Sequence, residues 1–462
     1  MDFGTVADGG SMGGAAGSGG GGTGGAAGAS NGGGGAGASA AGSGGASAPL
    51  FPCIEGWPTR PAGAKKAVPL DVQPQTLWTL ALPPSGDIIG GIAATGNGAA
   101  VSHGYSLSIA DGSGSLVTTL AKPDPSRELG GRLSGPVAGP DGSVYFADAS
   151  NAYGIDPTGK TIWHTRLGPG QLGQSANAAP SPPILDPAGR LYLSALDGKL
   201  WSFKSADGEV LWSLDVGFWQ GAPRWLDSAV RNVLTVSGGT AVSGVAAGGE
   251  GLLSVETRTW FGSVVMGEPA APPRLVPGYD VGFVVSAVID VGSETLDTFI
   301  VDTCGNFRWR VPGDHAVLLA ITFDDDLIVM DRTPLGGGRR SFALRRFSKD
   351  GVLVAGPVSV SDQFCGSSFV GADDTFYYVG YTPSGPSEGY RLRAFDSSLR
   401  EKWVSPFPFC PNAAVLNADG KILAARGTDS KLVAVQTTSP GPGAVSWAQN
   451  RRNARATAWL AP

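Results

Sequence analysis

The chain has 462 residues, a formal net charge of −6 and a composition rich in turn formers, with 73 Gly and 34 Pro. It is too long for a mini-protein and too rich in turn formers for a helical bundle. The acidic balance argues against a nucleic-acid binder, which needs a basic face, and no apolar run reaches the roughly 18 residues that cross a bilayer.

The N-terminal segment differs in composition from the rest of the chain. Residues 9–48 contain 20 Gly in 40 positions and no charged or aromatic side chain. Such a segment cannot bury enough apolar surface to offset its ordering entropy. We therefore predict a disordered Gly/Ser/Ala-rich tether over residues 1–50, followed by an N-terminal arm over residues 51–74.

The first residues bear on localisation. Met1-Asp2-Phe3-Gly4 has neither the basic nor the apolar region of a secretory signal, which taken literally predicts a cytoplasmic protein. A Gly/Ser spacer before a compact domain resembles the mature region of bacterial surface lipoproteins. We therefore favour an exported protein that works in the cell envelope or outside the cell.

Tryptophans recur with a fixed period after the arm. The steps between them are 85, 49, 48, 49, 94 and 44 residues, which are single or double steps of one unit of about 46 residues. The positions are Trp78, Trp163, Trp212, Trp260, Trp309, Trp403 and Trp447. A period of this length is typical of a propeller or a solenoid.

Predicted turns give the same period without the tryptophans. Eight turns follow the first strand of each unit, with steps of 44 to 49 residues. They lie at Asn97-Gly98, Asp141-Gly142, Pro187-Ala188-Gly189, Arg231-Asn232, Pro277-Gly278, Asp324-Asp325, Asp373-Asp374 and Asp419-Gly420. Eight turns predict eight units.

One unit shows the internal pattern most clearly. Short strands are predicted at 181–185, 190–194, 199–204 and 209–212, separated by turns that include Asp197-Gly198 and Asp207-Gly208. Four short antiparallel strands per unit make one propeller blade. The fold class is therefore all-β, an eight-bladed β-propeller of four-stranded antiparallel blades behind a disordered Gly-rich segment.

The closing turn of the units carries a family resemblance. Asp156-Pro157-Thr158-Gly159 before Trp163, Asp207-Gly208 before Trp212, Cys304-Gly305 before Trp309 and Ala394-Phe395-Asp396 before Trp403 resemble shortened forms of Ala-x-Asp-x-x-Thr-Gly-x-x-x-Trp. That pattern is the PQQ-type repeat of quinoprotein-dehydrogenase-like propellers, which include the non-enzymatic BamB-like branch. The resemblance covers roughly residues 77–447 and is specific for fold more than for function.

The last unit lacks a fourth strand of its own. Either residues 75–80 or residues 444–447 could supply it. We favour residues 75–80, because pairing the N-terminal strand with the last blade locks the ring and removes an open edge. The predicted propeller spans residues 75–447, and residues 448–462 form a C-terminal tail.

Most of the aromatic residues have a predicted structural role. The repeating tryptophans are expected to pack between neighbouring blades. Trp201, Trp219 and Trp225 lie outside the repeat. Phe218, Trp219 and Trp225 are the candidate binding surface, because they are placed on a connection between two blades, where propellers usually carry binding groups. Core packing or a protein contact is the alternative to a small-molecule pocket there.

The four cysteines provide one geometric prediction. Cys365 and Cys410 are one repeat apart and occupy equivalent positions near the first strands of adjacent blades. A disulfide between them is plausible and would indicate an oxidising compartment, with two free buried thiols as the alternative. Cys53 and Cys304 could pair only if the arm folds back over the ring.

The sequence offers no complete catalytic or metal-binding set. The family's cofactor site needs a vicinal cysteine pair, which this chain lacks, so we predict no cofactor and carry over no catalytic residue. His103, His164 and His315 show no ligand spacing, and Asp324-Asp325-Asp326 fits a turn better than a calcium site. The arginines at 339–340 and 345–346 are expected on a solvated hairpin.

These observations favour a non-catalytic binding or scaffolding module. The prediction is a monomeric cell-envelope protein that presents a propeller surface to a protein partner and binds no nucleic acid. A PQQ-dependent dehydrogenase-like enzyme and a surface carbohydrate-binding propeller are the alternatives. Fold alone does not decide among them.

Overall fold

The structure is a computed structural model in which most described residues lie in strands or in the turns between them. It describes residues 66–443 and 459–460, with gaps at 85–88, 97, 122–131, 169–178, 217–224, 231–232, 239–240, 247–251, 257–273, 279–281, 291–294, 304–306, 313–315, 337–338 and 383–388. No helix in this part of the chain could span a bilayer.

The described strands form eight sheets, which we number as blades 1 to 8 along the chain. Blade 1 consists of β2 (Ile89–Thr95), β3 (Gly98–His103), β4 (Ser106–Ala110) and β5 (Leu116–Ala121). Blade 2 consists of β6 (Val137–Ala138), β7 (Val144–Ala147), β8 (Asn151–Ile155) and β9 (Thr161–Arg166). Blade 3 consists of β10 (Ile184–Leu185), β11 (Arg190–Ser194), β12 (Lys199–Lys204) and β13 (Val210–Asp215).

The next three blades repeat this order. Blade 4 consists of β14 (Trp225–Val230), β15 (Val233–Gly238), β16 (Ala241–Ala246) and β17 (Leu252–Glu256). Blade 5 consists of β18 (Arg274–Gly278), β19 (Gly282–Asp290), β20 (Thr295–Val301) and β21 (Phe307–Arg310). Blade 6 consists of β22 (Ala316–Ile321), β23 (Leu327–Gly336), β24 (Arg339–Phe347) and β25 (Leu353–Val360).

The last two blades complete the set. Blade 7 consists of β26 (Gln363–Val370), β27 (Phe376–Thr382), β28 (Gly389–Phe395) and β29 (Glu401–Phe407). Blade 8 consists of β30 (Ala413–Leu416), β31 (Lys421–Arg426), β32 (Lys431–Gln436) and, from the N-terminal side of the chain, β1 (Gln75–Ala81). Neighbouring strands within the blades are antiparallel.

The blades are arranged in a ring with apolar clusters between them. The first strands of most successive blades contact one another, as β2 does with β6 and β14 with β18. β2 also contacts β30 and β31, which brings blade 8 against blade 1. The cluster at this junction joins Ile92 and Val101 to Leu423 and Leu432. The core is therefore divided among the interfaces between sheets, as in a propeller.

The predicted closing strand is confirmed. β1 pairs antiparallel with β32 from Gln75 opposite Gln436 to Ala81 opposite Lys431. The pairing covers the outer edge of the last sheet with a strand that comes before the first blade in sequence. The alternative strand, residues 444–447, lies outside the described residues.

Most predicted turns fall between the first and second strands, where the repeat places them. Gly142, Gly189 and Gly420 have φ of 84°, 77° and 74°, which explains the glycine in these turns. The turn predicted at Pro277-Gly278 is wrong, because both residues belong to β18. The turn predicted at Arg231-Asn232 lies outside the described residues. The predicted first strand at 181–185 is also shorter, since β10 begins at Ile184.

The repeating tryptophans within the described residues pack between blades, as predicted, and Trp260 and Trp447 lie outside those residues. The indole Nε1 of Trp163 in blade 2 donates a hydrogen bond to the Ser205 carbonyl of blade 3 at 2.7 Å. Trp309 makes the same contact with Lys349 of blade 6 at 2.8 Å, and Trp78 with Gly112 of blade 1 at 3.1 Å. Each tryptophan thus ties an outer strand to the turn before the outer strand of the next blade.

The strand order defines two faces of the ring. We call the face with the turns between first and second strands the turn face, and the opposite one, with the connections between blades, the loop face. Residues 66–70 cross the turn face, where the Ala67 and Leu70 amides donate to the carbonyls of Ala372 and Thr438, each at 2.7 Å. In the predicted tail, β33 (Trp459–Leu460) pairs parallel with β14, next to the ring centre.

Candidate binding surface

The aromatic residues singled out from the sequence are only partly within the described chain. Phe218 and Trp219 lie outside it, whereas Trp225 is the first residue of β14 and so begins an inner strand instead of lying in a connection. The off-register Trp201 donates its indole N–H to Asp197 Oδ2 at 3.1 Å and stacks on Phe203 with ring centroids 6.0 Å apart. Trp201 is therefore a packing residue of blade 3.

The two cysteines that are one repeat apart are bonded in the structure. A disulfide joins Cys365 to Cys410 with their Cα atoms 5.3 Å apart. Cys365 lies in β26 of blade 7, and Cys410 lies just before β30 of blade 8. The bond therefore fastens the inner parts of two adjacent blades. Cys53 and Cys304 lie outside the described residues.

The histidines do not form a catalytic group in the described part of the chain. His103 is buried, its Nε2 lies 2.7 Å from Ser108 Oγ, and burial lowers its pKa to about 4. A neutral imidazole and a hydroxyl that are both enclosed between sheets cannot reach a substrate. His164 is exposed on β9, and His315 is not among the described residues. The same residues contain no cluster of three metal-ligating side chains.

The acidic run 324–326 forms the turn predicted for it. The Asp326 carbonyl accepts a hydrogen bond from the Thr322 amide at 2.9 Å, and Asp325 has φ of 59°, which Asp tolerates better than most residues. Asp326 also pairs with Arg346, whose Nε lies 2.8 Å from Asp326 Oδ2. Burial raises the pKa of Asp326, against the opposing effect of the Arg346 charge.

The prediction of a solvated arginine hairpin is wrong for two residues. The Arg346 side chain is 5% exposed and lies between blades 6 and 7, where its Nη1 donates to the Ser397 carbonyl at 2.8 Å. Arg345 pairs with Asp331, and its guanidinium lies 4.9 Å from the centroid of the Phe347 ring. Both arginines are held inside blade interfaces because each finds a carboxylate there.

A group of aromatic and charged side chains lies at the loop face of blades 7 and 8. We call it the tyrosine–arginine patch, and it comprises Tyr381, Tyr390, Phe409, Arg426 and Asp429. The rings of Tyr381 and Tyr390 have centroids 5.0 Å apart on adjacent strands. The guanidinium carbon of Arg426 lies 4.7 Å from the Phe409 centroid, which is a cation–π contact between the two blades.

The charges of the patch are fixed by ion pairs of Asp429 with Arg426 and with Lys431, whose Nζ lies 2.8 Å from Asp429 Oδ2. Arg426 Nε donates to Asp429 Oδ1 at 2.8 Å, and this hydrogen bond raises the pKa of Arg426 and lowers that of Asp429. Both tyrosines, Arg426 and Asp429 are half-buried, while Phe409 is fully buried beneath them. The patch thus offers aromatic edges and one guanidinium to solvent from positions on strands and a short turn.

The patch rests on a rigid support. Tyr381 and Tyr390 pack against the apolar cluster that contains Cys365, Phe407 and Phe409, so the disulfide belongs to the same cluster. The patch was not predicted from the sequence, because its residues come from two different blades. The alternation of Tyr381 and Tyr390 with polar neighbours at the ends of β27 and β28 is the signal that could have indicated it.

Comparison with known proteins supports the fold. Residues 75–265 match the family model described as "Outer membrane protein assembly factor BamB". The crystal structure of BamB from Moraxella catarrhalis aligns with 12% identity and a TM-score of 0.50, covering 79% of this chain and all of that one. No curated protein sequence matches the chain.

Two further solved structures align over a similar length. The C-terminal WD40 domain of Sif2 has 11% identity and a TM-score of 0.53, with 80% of this chain and 99% of that chain covered. Sqt1 from Saccharomyces cerevisiae has 11% identity and a TM-score of 0.52, with 79% and 99% covered. At such identities the likeness concerns fold alone. Together, the ring of four-stranded sheets, the tryptophan contacts and the aligned structures show that this chain is a β-propeller, of which residues 75–265 match the PQQ-type repeat model of BamB.

Proposed function

We propose that this protein is a non-catalytic binding or scaffolding propeller of the cell envelope, which presents its loop face to a protein partner. The observation that carries the proposal is the tyrosine–arginine patch. Tyr and Arg are enriched among the residues that dominate protein–protein binding energy, above all when they stand on a rigid, well-packed base.

The family match supports the class of function. The matched model describes an assembly factor of the outer membrane, and a propeller that assists assembly works through contacts with other proteins. The buried His103–Ser108 pair supports a role without catalysis. We further propose that the protein is a monomer, which sedimentation velocity would test.

The disulfide supports export. A bond between Cys365 and Cys410 persists in an oxidising compartment and is rare in the cytosol. Mass spectrometry of the protein isolated from its own host under non-reducing conditions, with free thiols blocked at lysis, should find a linked peptide pair. Two blocked thiols at these positions would argue for a cytoplasmic protein.

Affinity capture tests the patch. The tagged full-length chain, lightly cross-linked in its own host, should recover a stoichiometric protein from the envelope fraction. Tyr390→Ala should reduce the recovery about tenfold, as expected when a central aromatic contact is truncated. Tyr105→Ala is the matched control, because Tyr105 is a 38% exposed tyrosine on the loop face of blade 1.

Other outcomes would contradict the proposal. Equal recovery with both variants would exclude the patch as the docking site. A preparation without a partner that gains the absorbance of bound quinone after treatment with PQQ and calcium would favour a dehydrogenase-like enzyme. Binding to glycans in place of protein would favour a carbohydrate-binding propeller.

A further inference from the structure

A small acidic notch lies on the turn face between blades 6 and 7. It is formed by Phe323 and Asp324 from the β22–β23 turn and by Asp374 from the β26–β27 turn. The Phe323 amide donates to Asp374 Oδ1 at 2.9 Å, which connects the two turns and fixes the carboxylate. The walls of the notch therefore come from rigid turns of two blades.

One oxygen of the notch depends on ion pairs. The Asp374 side chain is 3% exposed, and within the described residues its Oδ2 has cations as neighbours but no neutral hydrogen-bond donor. Arg346 is the nearest buried cation, but its hydrogen bonds go to Asp326, the Ser397 carbonyl and Thr322 Oγ1. Its guanidinium nitrogens lie 3.6 Å from Asp324 Oδ2 and 3.9 Å from Asp374 Oδ2, which are longer ion-pair distances. A buried carboxylate in this position requires a second cation.

Lys66 of the N-terminal arm supplies that cation. Its Nζ lies 3.1 Å from Asp374 Oδ2, 3.3 Å from Asp324 Oδ2 and 5.7 Å from the centroid of the Phe323 ring. Burial lowers the pKa of Lys66, but the two carboxylates outweigh this effect and raise it, so the ammonium stays charged. Two carboxylates and an aromatic ring around one ammonium form a complete lysine site.

The described residues that follow Lys66 in the arm lie on the surface of the ring. Residues 66–73 are all exposed, and Val68 is 82% exposed. The Ala67 and Leu70 amides also donate backbone hydrogen bonds to the ring. Backbone hydrogen bonds fit any extended segment, so the specific contacts of residues 66–70 with the ring come from the Lys66 side chain.

We propose that the notch of Phe323, Asp324 and Asp374 is a lysine-recognition site, and that residues 66–70 are its built-in, displaceable ligand. The partner that fits the site is a second protein that presents a lysine on an extended segment. The arm would compete with such a segment, because its attachment to the ring gives it a high effective concentration. This inference does not depend on the patch of the loop face.

A peptide-exchange experiment tests the proposal. The probe is a fluorescent peptide with the sequence of residues 66–74, KAVPLDVQP, acetylated so that the lysine side chain is its one ammonium group. Fluorescence anisotropy should show binding to the full chain carrying Lys66→Gln, and about tenfold weaker binding to the unchanged chain, whose notch is occupied. Binding should weaken with added salt.

Three controls make the result specific. Lys402→Gln removes an ammonium from the neighbourhood of Asp373, which precedes Asp374 in the β26–β27 turn. This variant should bind the peptide as weakly as the unchanged chain does. Asp374→Asn added to Lys66→Gln should abolish binding. A peptide with Gln in place of Lys should not bind, which keeps the test valid if the Asp374 variant fails to fold. Equal binding to the unchanged and Lys66→Gln chains, binding by the Gln peptide, or no binding at all would overturn the proposal.

Discussion

The interface between blades 2 and 3 and the interface between blades 6 and 7 hold equivalent turns in different ways. At the first, Trp163 of β9 stacks with Tyr145 and Phe203 and donates to the Ser205 carbonyl. At the second, β25 contains no tryptophan, and Arg346 donates instead to the Ser397 carbonyl. In both, a side chain of one blade satisfies a carbonyl in the last turn of the next.

The residue type at the end of each turn depends on whether an indole or a guanidinium donates to that turn. Gly208 has φ of 73°, and a Cβ there would lie 2.5 Å from the Trp163 ring, so glycine is required on both counts. Leu399 occupies the corresponding place in blade 7 with φ of 58° and is fully buried. Where no indole covers the turn, a large side chain can fill the space. The repeat therefore conserves a donor to the turn, and the tryptophan is one way to supply it.

The two interfaces should differ in their response to solution conditions. The contacts of Trp163 are apolar apart from one hydrogen bond. The interface of blades 6 and 7 contains, besides Arg346, the buried Asp362, which accepts hydrogen bonds from Arg393 and Thr382. The stability that an ion pair contributes depends on pH, because its groups titrate, whereas the stability from apolar packing does not.

Trp163→Ala should have the largest effect. Truncating a buried aromatic is expected to lower the free energy of unfolding by about 3–5 kcal/mol. The loss should be similar at pH 7 and pH 4, because no titrating group contributes to it. Urea denaturation followed by circular dichroism at both pH values measures it. A loss that depends strongly on pH would contradict the apolar description.

Arg346→Met should lower the free energy of unfolding by about 3 kcal/mol at pH 7, because it leaves the buried carboxylates of Asp326 and Asp374 without the guanidinium. The loss should shrink at pH 4. The pKa of Asp326 is already raised by burial, so its carboxyl takes up a proton and no longer needs a cation. The same denaturation series tests this, and an equal loss at both pH values would show that Arg346 acts by packing alone.

Asp362→Asn should lower the free energy of unfolding by about 2 kcal/mol at neutral pH, because it removes the charged hydrogen bonds that the Asp362 carboxylate accepts. Burial alone would raise the pKa of Asp362, but hydrogen bonds from Arg393, Thr382 and Ser361 lower it below its usual value. A lowered native pKa stabilises the fold above about pH 3.9, the usual Asp value, and this contribution is lost as the pH falls through the native pKa. Melting curves of both proteins should therefore converge at low pH, and a constant gap would contradict the assignment.

Gly208→Ala should lower the free energy of unfolding by about 1 kcal/mol more than Gly189→Ala does, which is the smallest effect of the set. Both positions lie in blade 3 with φ near 75°, so the backbone strain of an alanine is matched. At Gly189 the nearest contact of a Cβ is Ser205 Oγ at 3.2 Å, whereas at Gly208 it is the Trp163 ring. Equal melting temperatures would mean that the tryptophan does not depend on the glycine.

The sequence predicted the repeat and its closure because both rest on local signals. Turn residues with positive φ mark the unit, as Gly142 and Gly420 show, and β1 follows from the count of strands. The placement of Arg346 was not predictable in this way. Its carboxylate partners lie on turns up to 28 residues away, and a charged run in isolation indicates solvent.

The candidate sites were harder to predict than the fold. The notch joins Lys66 to Asp374, 308 positions along the chain, and only the ring brings them together. The tyrosine–arginine patch likewise needs two blades. The cysteine pair was accessible to sequence reasoning because its separation of 45 residues equals one repeat.

Cross-linking mass spectrometry of the tagged protein in its own envelope fraction tests the proposed function most directly. We expect a stoichiometric partner whose cross-links cluster on the loop face of blades 7 and 8, around Lys431 beside Asp429. These cross-links should be lost in the Tyr390→Ala variant. Cross-links spread without preference over the ring, or a preparation that contains no partner, would contradict the proposed function.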